Sequence, residues 1–390
     1  MSSVDSGNLA GHLHVLRMGL LELPEREIIS LRSFESLADT IEILAEAMDA
    51  ATENWDRGKV ISMKEAVSFS NTESELTLSM AWNRLESLAE LLIDMGRDRR
   101  KNSAELGEAP EYWLRALSTQ CTDLRNELRY LTPWVKFHSC RAILDDFPML
   151  DRIPKLRELS GLKNLLCGQP DLPPGLNHFV SVASARAAEW LDNINRLTTQ
   201  CGQFCQMDYR FLYDESRHLL SIGYNAEESR LDANYYDLLA SESRLATFTA
   251  IAQGQLPQKS WFALSRLLTI MEGKPILLSW SGSMFEYLMP LLVMPCYEHT
   301  LISDTCKAAV EIQIAYGKKR RGPWGISECG DNAVDTLKNY QYKAFGVPGL
   351  GLKRNLADDL VIAPYASMLA LTVAPKEACV NLEKLTNAGF

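Results

Sequence analysis

The stretch NRLESLAELLID, residues 83–94, indicates the fold class of this chain. Its leucines at positions 85, 88, 91 and 92 lie three and four residues apart, with charged residues between them. That spacing is typical of one apolar face of an α-helix. The same spacing recurs in residues 34–55, 72–100, 110–130 and 176–205. The pattern therefore predicts a mainly helical protein.

The composition excludes several classes of function. The chain has 390 residues, of which 46% are hydrophobic and 23% charged, and its formal net charge is −10. Because an acidic surface repels phosphate groups, we expect no binding to nucleic acid or to anionic membrane surfaces. The nine cysteines lack the paired spacing of a disulfide framework, and Cys201 and Cys205 lack further ligands for a zinc site. We therefore expect free thiols, no metal and no cofactor.

The character of the sequence changes near residue 206. Before it, the predicted amphipathic helices contain almost no residues of the kinds that form catalytic or binding sites. We interpret residues 21–175 as a helical insertion or lid. After it, residues 207–225 predict a β-hairpin in which Tyr209–Tyr213 pairs with Leu219–Tyr224. A predicted helix at 234–253 follows, and then further helices joined by long loops rich in glycine and aromatic residues. This organisation predicts an all-α toroid whose loops form a site on one face.

Glu242 is the first candidate for chemistry. It lies inside the predicted helix 234–253 and has apolar residues three and four positions away on both sides, so we expect it to face the buried side. Burial raises the pKa of a carboxyl group, which suits a proton donor near neutral pH. The alternative is a core ion pair with Arg244 or Arg210, and the pattern alone leaves both interpretations open.

Glu328 is the second candidate, in the loop RGPWGISECGDN, residues 321–332. Proline and glycine disfavour a regular helix there, and small neighbours let a ligand approach the backbone. Trp324 offers a flat apolar face on which a sugar ring can stack. The alternative is that Glu328 caps a helix. Asp331 is a weaker candidate in the same loop.

Two further acids have both a structural and a binding interpretation. SMFE, residues 283–286, fits a capping box, so Glu286 either caps a helix or contacts substrate. Asp5 is either a helix N-cap or part of a polar site. Two carboxylates on different elements, with aromatic residues in the loops between them, match the requirements of glycoside cleavage.

Several motifs resemble the cyclization domain of bacterial cyclic β-1,2-glucan synthases, densely over residues 206–390 and loosely before. They are SSVDSGNLAG (2–11), MDYRFLYD (207–214), LDANYYDLLASESRLATF (231–248), LLSWSGSMFEYLMP (277–290), GPWGISE (322–328) and VIAPYA (361–366). The resemblance implies a glucoamylase-like (α/α)6 toroid with a β-hairpin and a large helical insertion. Residues 1–20 and 176–390 would form this catalytic toroid, and we expect the chain to be truncated at both ends.

The resemblance also implies an activity. Such a domain is a retaining transglycosylase that cuts linear β-1,2-glucan and joins the cut end to the far end of the same chain. By motif, Glu242 and Glu328 match the two catalytic glutamates, and we favour Glu328 as nucleophile and Glu242 as acid/base. The alternatives are an endo-β-1,2-glucanase, which transfers to water, and a non-catalytic module that only binds glucan.

The resemblance and the residue types together give the remaining predictions. The predicted substrate-binding residues are Asp5, Asp208, Trp280, Ser283, Phe285, Glu286, Trp324, Tyr340 and Tyr342. The aromatic ones would wall off water from the acceptor sugar, and core packing is their alternative role. Implied partners are a β-1,2-glucan chain and adjacent glucosyltransferase and phosphorylase-like domains of one polypeptide. The implied location is the cytoplasmic face of the bacterial inner membrane.

Overall fold

The computed structural model describes residues 1–51, 56–69, 75–102, 107–136, 147–166, 173–358 and 360–389. Helix accounts for 61% of the structure and the strands are few and short, which confirms the predicted mainly helical class. Within the described ranges, every helix is too short or too polar to traverse a lipid bilayer.

Helices dominate both halves of the chain. The α-helices are α1 Ser3–Glu22, α2 Leu31–Ala51, α3 Arg57–Val67, α4 Leu78–Asn102, α5 Glu108–Leu131, α6 Leu156–Leu166, α7 Pro174–Phe204, α8 Ser243–Ala252, α9 Lys259–Ala263, α10 Met284–Leu288, α11 Leu301–Lys319, α12 Pro364–Ala370 and α13 Pro375–Asn387. Short 3₁₀ helices span Leu23–Glu25, Pro133–Lys136, Pro148–Leu150, Arg210–Leu212 and Met289–Leu292.

The strands form small antiparallel ladders. They are β1 Tyr213–Asp214, β2 Leu219–Ser221, β3 Tyr224–Asn225, β4 Arg230–Leu231, β5 Tyr235–Tyr236, β6 Leu268–Met271, β7 Lys274–Leu277, β8 Cys329–Val334 and β9 Tyr340–Lys343. Strand β2 lies between β1 and β5, and the other pairs are β3 with β4, β6 with β7 and β8 with β9.

The chain divides into two compact units, Met18–Thr198 and Met1–Arg17 with Thr199–Phe390. In the first unit, α2 packs against α3 and α5, and α4 packs against the same two helices. The leucine stripe of α4 behaves as its spacing predicts, since Leu85, Leu88 and Leu92 are buried in the core of this unit. That the segment acts as an insertion or lid stays a prediction.

The core of the second unit is built by α10, α11, α12, α13 and the loop before β8. The backbone of this loop makes few hydrogen bonds to other backbone groups. The amide groups of buried side chains therefore bond its N–H and carbonyl groups instead. Gln313 bonds both the N–H and the carbonyl of Ile326, at 2.9 and 2.8 Å. Asn381 bonds both the N–H and the carbonyl of Trp324, at 3.1 and 2.7 Å. The two amides fix the path of the chain into Glu328.

Two predicted elements differ from the structure. The hairpin exists, but it pairs Tyr213 with Leu220, and residues 210–212 form a 3₁₀ turn instead of a strand. The helix predicted from residue 234 begins at Ser243, because Tyr235 and Tyr236 pair with β2. Local helical periodicity in residues 234–242 is overridden by this strand pairing, which lies outside the window that predicted the helix.

Candidate active site

Glu242 is the residue immediately before α8 and is half-buried. Its Oε2 accepts a hydrogen bond of 2.7 Å from the side-chain amide of Asn8 on α1. The predicted alternative, a core ion pair, is wrong. The guanidinium of Arg244 donates to the backbone carbonyls of Ser241, Glu286 and Tyr287, and Arg210 pairs with Asp208.

The surroundings of Glu242 favour its neutral form. Burial raises the pKa of its carboxyl group most, and the hydrogen bond from Asn8 lowers it. The negative charges of Glu328, Asp5 and Glu286 raise it further, to about 7. This carboxyl group therefore carries a proton in a large share of molecules at neutral pH, which a general acid requires.

The raised pKa of Glu242 predicts how the free energy of unfolding depends on pH. The unfolded chain has a Glu pKa of about 4.3, whereas the folded value is about 7. Between these values the folded state binds more protons, so the free energy of unfolding falls as pH rises. Glu242→Gln removes this penalty and keeps the acceptor for Asn8. We expect the variant to exceed wild type by on the order of 1–2 kcal/mol at pH 8, after allowance for solvent screening.

Denaturant unfolding at pH 5 and pH 8 measures the effect. The difference between variant and wild type should be small at pH 5, should grow as pH rises toward 7, and should level off above 7. Glu311→Gln, which alters an exposed carboxylate paired with Lys274, is the matched control and should show no such growth. A Glu242→Gln difference that is independent of pH would contradict the raised pKa.

Glu328 directly precedes β8 and is half-buried. Its Oε1 accepts a hydrogen bond of 3.3 Å from the hydroxyl of Ser283, and its Oε2 accepts one from the hydroxyl of Tyr342 on β9. Because a strand and not a helix follows Glu328, the alternative that it caps a helix is wrong. The residues after Glu328, predicted as part of an irregular loop, pair with β9 from Cys329 onward.

The pKa of Glu328 is raised by burial, which is the largest effect, and lowered by the hydrogen bond from Tyr342. The charge of Glu286 raises it, whereas Ser283 and the ammonium group of Lys353 lower it. Glu328 thus receives hydrogen bonds on both carboxylate oxygens and has a cation nearby. Each of these contacts stabilises the ionised form, which a nucleophile requires, although burial outweighs them and the pKa of Glu328 is raised overall.

Glu286 accepts hydrogen bonds from the loop that precedes α10. The predicted capping box is confirmed, with Ser283 at the N-cap and Glu286 at the third helical position. The Glu286 side chain is 5% exposed. Its oxygens accept from the backbone of Trp280 at 3.0 Å and from the hydroxyls of Ser279 and Ser281 at 2.9 and 2.5 Å. Glu286 therefore holds the loop in place, and its predicted contact with substrate stays a prediction.

The predicted role of Trp324 as a sugar platform is wrong. Its indole is 6% exposed and packs in the core of the second unit. The Cβ of Trp324 lies against Gly317 of α11, where an added Cβ would come within 2.7 Å. Core packing, the alternative given for this tryptophan, is what the structure shows.

The other predicted binding residues lie in different surroundings. Trp280 and Tyr342 are 59% and 60% exposed, and Phe285 packs against the core of the second unit. Asp208 forms an exposed ion pair with Arg210. The side chains of Tyr340 and Asp331 lie outside the described part of the structure. Whether these residues bind substrate stays a prediction.

Asp5 is not an N-cap, because α1 already begins at Ser3. Its negative charge raises the pKa of Glu242 and that of Tyr236, so Asp5 lies in the same acidic region as Glu242. The alternative prediction, that Asp5 enters a polar site, agrees with this position. Asp5 comes from the first turn of α1, more than two hundred positions before Glu242 in the chain.

Two tyrosines of this region were not predicted from the sequence. The hydroxyl of Tyr365 on α12 bonds the Ser327 hydroxyl at 2.8 Å and donates to the backbone carbonyl of Glu328 at 2.7 Å. Tyr236 on β5 is half-buried. Burial and the charges of four carboxylates, among them Glu242 and Glu328, raise its pKa to about 12. VIAPYA and LDANYYDL were the only sequence signals for them.

The arrangement brings Glu242 and Glu328 into one acidic region in which burial raises the pKa of both carboxyl groups. At Glu328 the hydrogen bonds from Tyr342 and Ser283 and the charge of Lys353 oppose this rise. Surroundings that push the pKa values of two carboxyl groups apart are the usual basis for acid and nucleophile roles, and these contacts act in that direction. Among the described residues, no group of three or more His, Cys, Asp or Glu side chains could hold a metal ion. The catalytic roles of both glutamates stay predictions.

Comparison with known proteins adds a family context to this site. The family Glycoamylase, described as "Putative glucoamylase", matches residues 234–389, which include both glutamates. Over 402 aligned residues, 100% of the chain is 35% identical to part of the cyclic beta-(1,2)-glucan synthase NdvB of Rhizobium meliloti (strain 1021). The chain spans 12% of the length of that relative. The resemblance to the cyclic β-1,2-glucan synthases that the motifs indicated is thereby confirmed.

Proposed function

We propose, from the similarity of the whole chain to part of a cyclic β-1,2-glucan synthase, that this protein performs the ring-closing step of cyclic β-1,2-glucan synthesis. The observation that carries the proposal is the pair Glu242 and Glu328. The charge of Glu328 raises the pKa of Glu242, whereas the hydrogen bonds from Tyr342 and Ser283 and the charge of Lys353 partly offset the effect of burial on Glu328. We propose a retaining transglycosylase on linear β-1,2-glucan.

In the first step a carboxylate oxygen of Glu328 attacks the anomeric carbon of a glucosyl unit. The glycosidic C–O bond breaks, and the departing oxygen takes the proton of Glu242, either directly or through a substrate hydroxyl. A glucosyl ester on Glu328 results, and Glu242 becomes a carboxylate. The Tyr342 hydroxyl, which donates to Oε2 of Glu328, holds the carboxylate in orientation.

In the second step the 2-hydroxyl at the far end of the same glucan attacks the anomeric carbon of the glucosyl ester. Its proton passes to Glu242, the bond to Glu328 breaks, and a new β-1,2 bond closes the ring. One glycosidic bond is broken and one is formed, so no water is consumed. The exposed aromatic rings of Trp280 and Tyr342 would shield the ester from water and orient the sugar acceptor, and orientation supplies effective molarities of about 10⁵ M or more.

The architecture we propose for this activity is an (α/α)6 toroid to which residues 21–175 are added as an insertion or lid. The helical content and the family match to residues 234–389 support it. The relative is much longer than this chain. We therefore propose glucosyltransferase and phosphorylase-like domains as partners in one polypeptide at the cytoplasmic face of the bacterial inner membrane.

The test is a product assay with the 390-residue chain and linear β-1,2-glucan. We expect products that resist exo-β-glucosidase and are one water lighter than linear glucans of the same length. In heavy-oxygen water the products should carry no label, because the acceptor is a sugar hydroxyl. Glu328→Gln protein, purified in the same way, is the control for contaminating activities.

Two outcomes would replace the proposal. Linear products that incorporate the heavy oxygen would identify an endo-β-1,2-glucanase that uses the same two carboxyl groups. Binding of the glucan without any product would identify a non-catalytic binding module.

A further inference from the structure

Ser283 lies between two carboxylates. Its side chain is fully buried at the N-cap of α10. The Oγ atom lies 3.0 Å from Oε2 of Glu286 and 3.3 Å from Oε1 of Glu328. The N–H of Glu286 also donates to this Oγ, at 3.4 Å. Because a hydroxyl carries one proton, Ser283 can donate to only one of the two carboxylates at a time.

Glu286 does not depend on that proton. A carboxylate offers about four lone-pair sites, and Glu286 has more donors than this without the Ser283 hydroxyl. These donors are the backbone N–H groups of Trp280, Ser281 and Ser283 and the hydroxyls of Ser279 and Ser281. The capping box uses the Ser283 Oγ only as an acceptor, so the hydroxyl proton is surplus to it and is available to another acceptor.

Glu328 has a greater need of the proton. Within the described residues, its carboxylate has only two hydrogen-bond donors, Ser283 and Tyr342. Tyr342 is on Oε2, so Ser283 is the donor for Oε1. A half-buried ionised carboxylate oxygen without a donor loses a charge-assisted hydrogen bond, whereas a neutral one loses much less. Whether the Ser283 hydroxyl donates to Glu328 or to Glu286 therefore depends on whether Glu328 is charged.

We propose that Ser283 is a positioning residue whose hydroxyl proton follows the charge of Glu328. When Glu328 is ionised, Ser283 donates to its Oε1 and fixes the orientation of the carboxylate. When Glu328 carries a proton or a glucosyl ester, the hydroxyl turns to Oε2 of Glu286. The role in turnover rests on the proposed function, whereas the change of partner is a property of the resting protein.

Other charged and titratable groups surround Glu328 and also affect its pKa. A test of Ser283 must therefore leave these groups unchanged. Tyr342 on β9 and Lys353 favour its ionised form, whereas the charge of Glu286 on α10 disfavours it. The negative charges of Glu242 and Glu328 each raise the pKa of Tyr236 on β5, and Tyr365 on α12 donates to the Glu328 backbone. Ser283 and Glu286 thus act on the Glu328 pKa with opposite signs.

The decisive measurement is the pKa of Glu328 in the full chain, from a carbon-13 NMR titration in which Glu328→Gln assigns the carboxyl signal. Ser283→Ala should raise this pKa by about one unit, since a hydrogen bond to a charged group is lost. The acidic limb of kcat/KM on linear β-1,2-glucan should move to higher pH by the same amount. Glu286→Gln should move both in the opposite direction.

Ser281→Ala is the matched control, because Ser281 donates to the same Glu286 oxygen from the same loop but does not contact Glu328. In Ser281→Ala the Glu328 pKa should keep its wild-type value. Ser283→Thr, which keeps the hydroxyl, should also have the wild-type value, unlike Ser283→Ala. If Ser283→Ala does not fold, Ser283→Cys, whose thiol is a weak donor, replaces it.

Equal shifts in the Ser283 and Ser281 variants, or no shift in either, would overturn the proposal. The expected shifts in a protein that makes no glucan product would leave the proton switch standing. That combination would refute only the proposed function.

Discussion

Glu328→Gln should lower kcat on linear β-1,2-glucan by about 10⁴-fold or more while the protein stays folded. An amide cannot attack the anomeric carbon, so no glucosyl ester forms. The side-chain carbonyl of glutamine can still accept one of the hydrogen bonds from Tyr342 and Ser283, so the loop should keep its path. Gln313 and Asn381, which hold Ile326 and Trp324, do not contact the altered group.

Activity and the thermal midpoint should be measured together. Glu311→Gln, on the exposed side of α11, controls for the loss of one negative charge and should keep wild-type turnover. Wild-type turnover in Glu328→Gln would show that Glu328 is not a catalytic residue.

The role of Glu328 as the nucleophile, as opposed to the acid, can be tested by chemical rescue. In Glu328→Ala the missing carboxylate leaves space for azide on the face opposite the leaving group. With an aryl β-glucoside oligomer whose phenol leaves without a proton, azide should therefore give the α-glucosyl azide. If Glu328 is the acid instead, azide attacks a preformed ester and the β-glucosyl azide results. The anomeric configuration of the product decides between the two assignments.

Local patterns in the sequence predicted those features that depend on local interactions. The leucine stripe of residues 83–94 is buried as its spacing requires, because helical periodicity follows from one turn to the next. The capping box of Ser283 and Glu286 is also local, since donor and acceptor lie three positions apart. The motifs around Glu242 and Glu328 were informative because they matched a known family, and residue chemistry alone left their roles open.

Contacts between distant segments explain what the sequence did not predict. Glu242 precedes its helix because Tyr235 and Tyr236 pair with β2, which no window centred on Glu242 reveals. Trp324 is held in the core by Asn381, fifty-seven positions later, which bonds both the N–H and the carbonyl of Trp324. The contribution of Asn8 to Glu242 spans 234 positions. Such contacts are determined only when the whole unit is folded.

Glu242→Gln should lower kcat on linear β-1,2-glucan by about 10²–10⁴-fold, the usual contribution of a general acid. The departing sugar oxygen has a high pKa and needs a proton, which the amide cannot supply. An aryl β-glucoside oligomer with a phenol of low pKa needs no proton in the first step. Measured as kcat/KM, which reports the first irreversible step, the loss on the aryl substrate should therefore be at least about tenfold smaller than on the glucan. Equal losses on both substrates would exclude Glu242 as the acid.

The pH dependence gives a second measure of the same role. Since the first step requires protonated Glu242, wild-type activity should fall as pH rises through the pKa of about 7. Glu242→Gln should lack this basic limb. Asn8→Ala should move the limb to higher pH, because the hydrogen bond from Asn8 lowers the Glu242 pKa. A limb that stays in place in Asn8→Ala would mean that a group other than Glu242 titrates there, since Asn8 donates to that carboxylate.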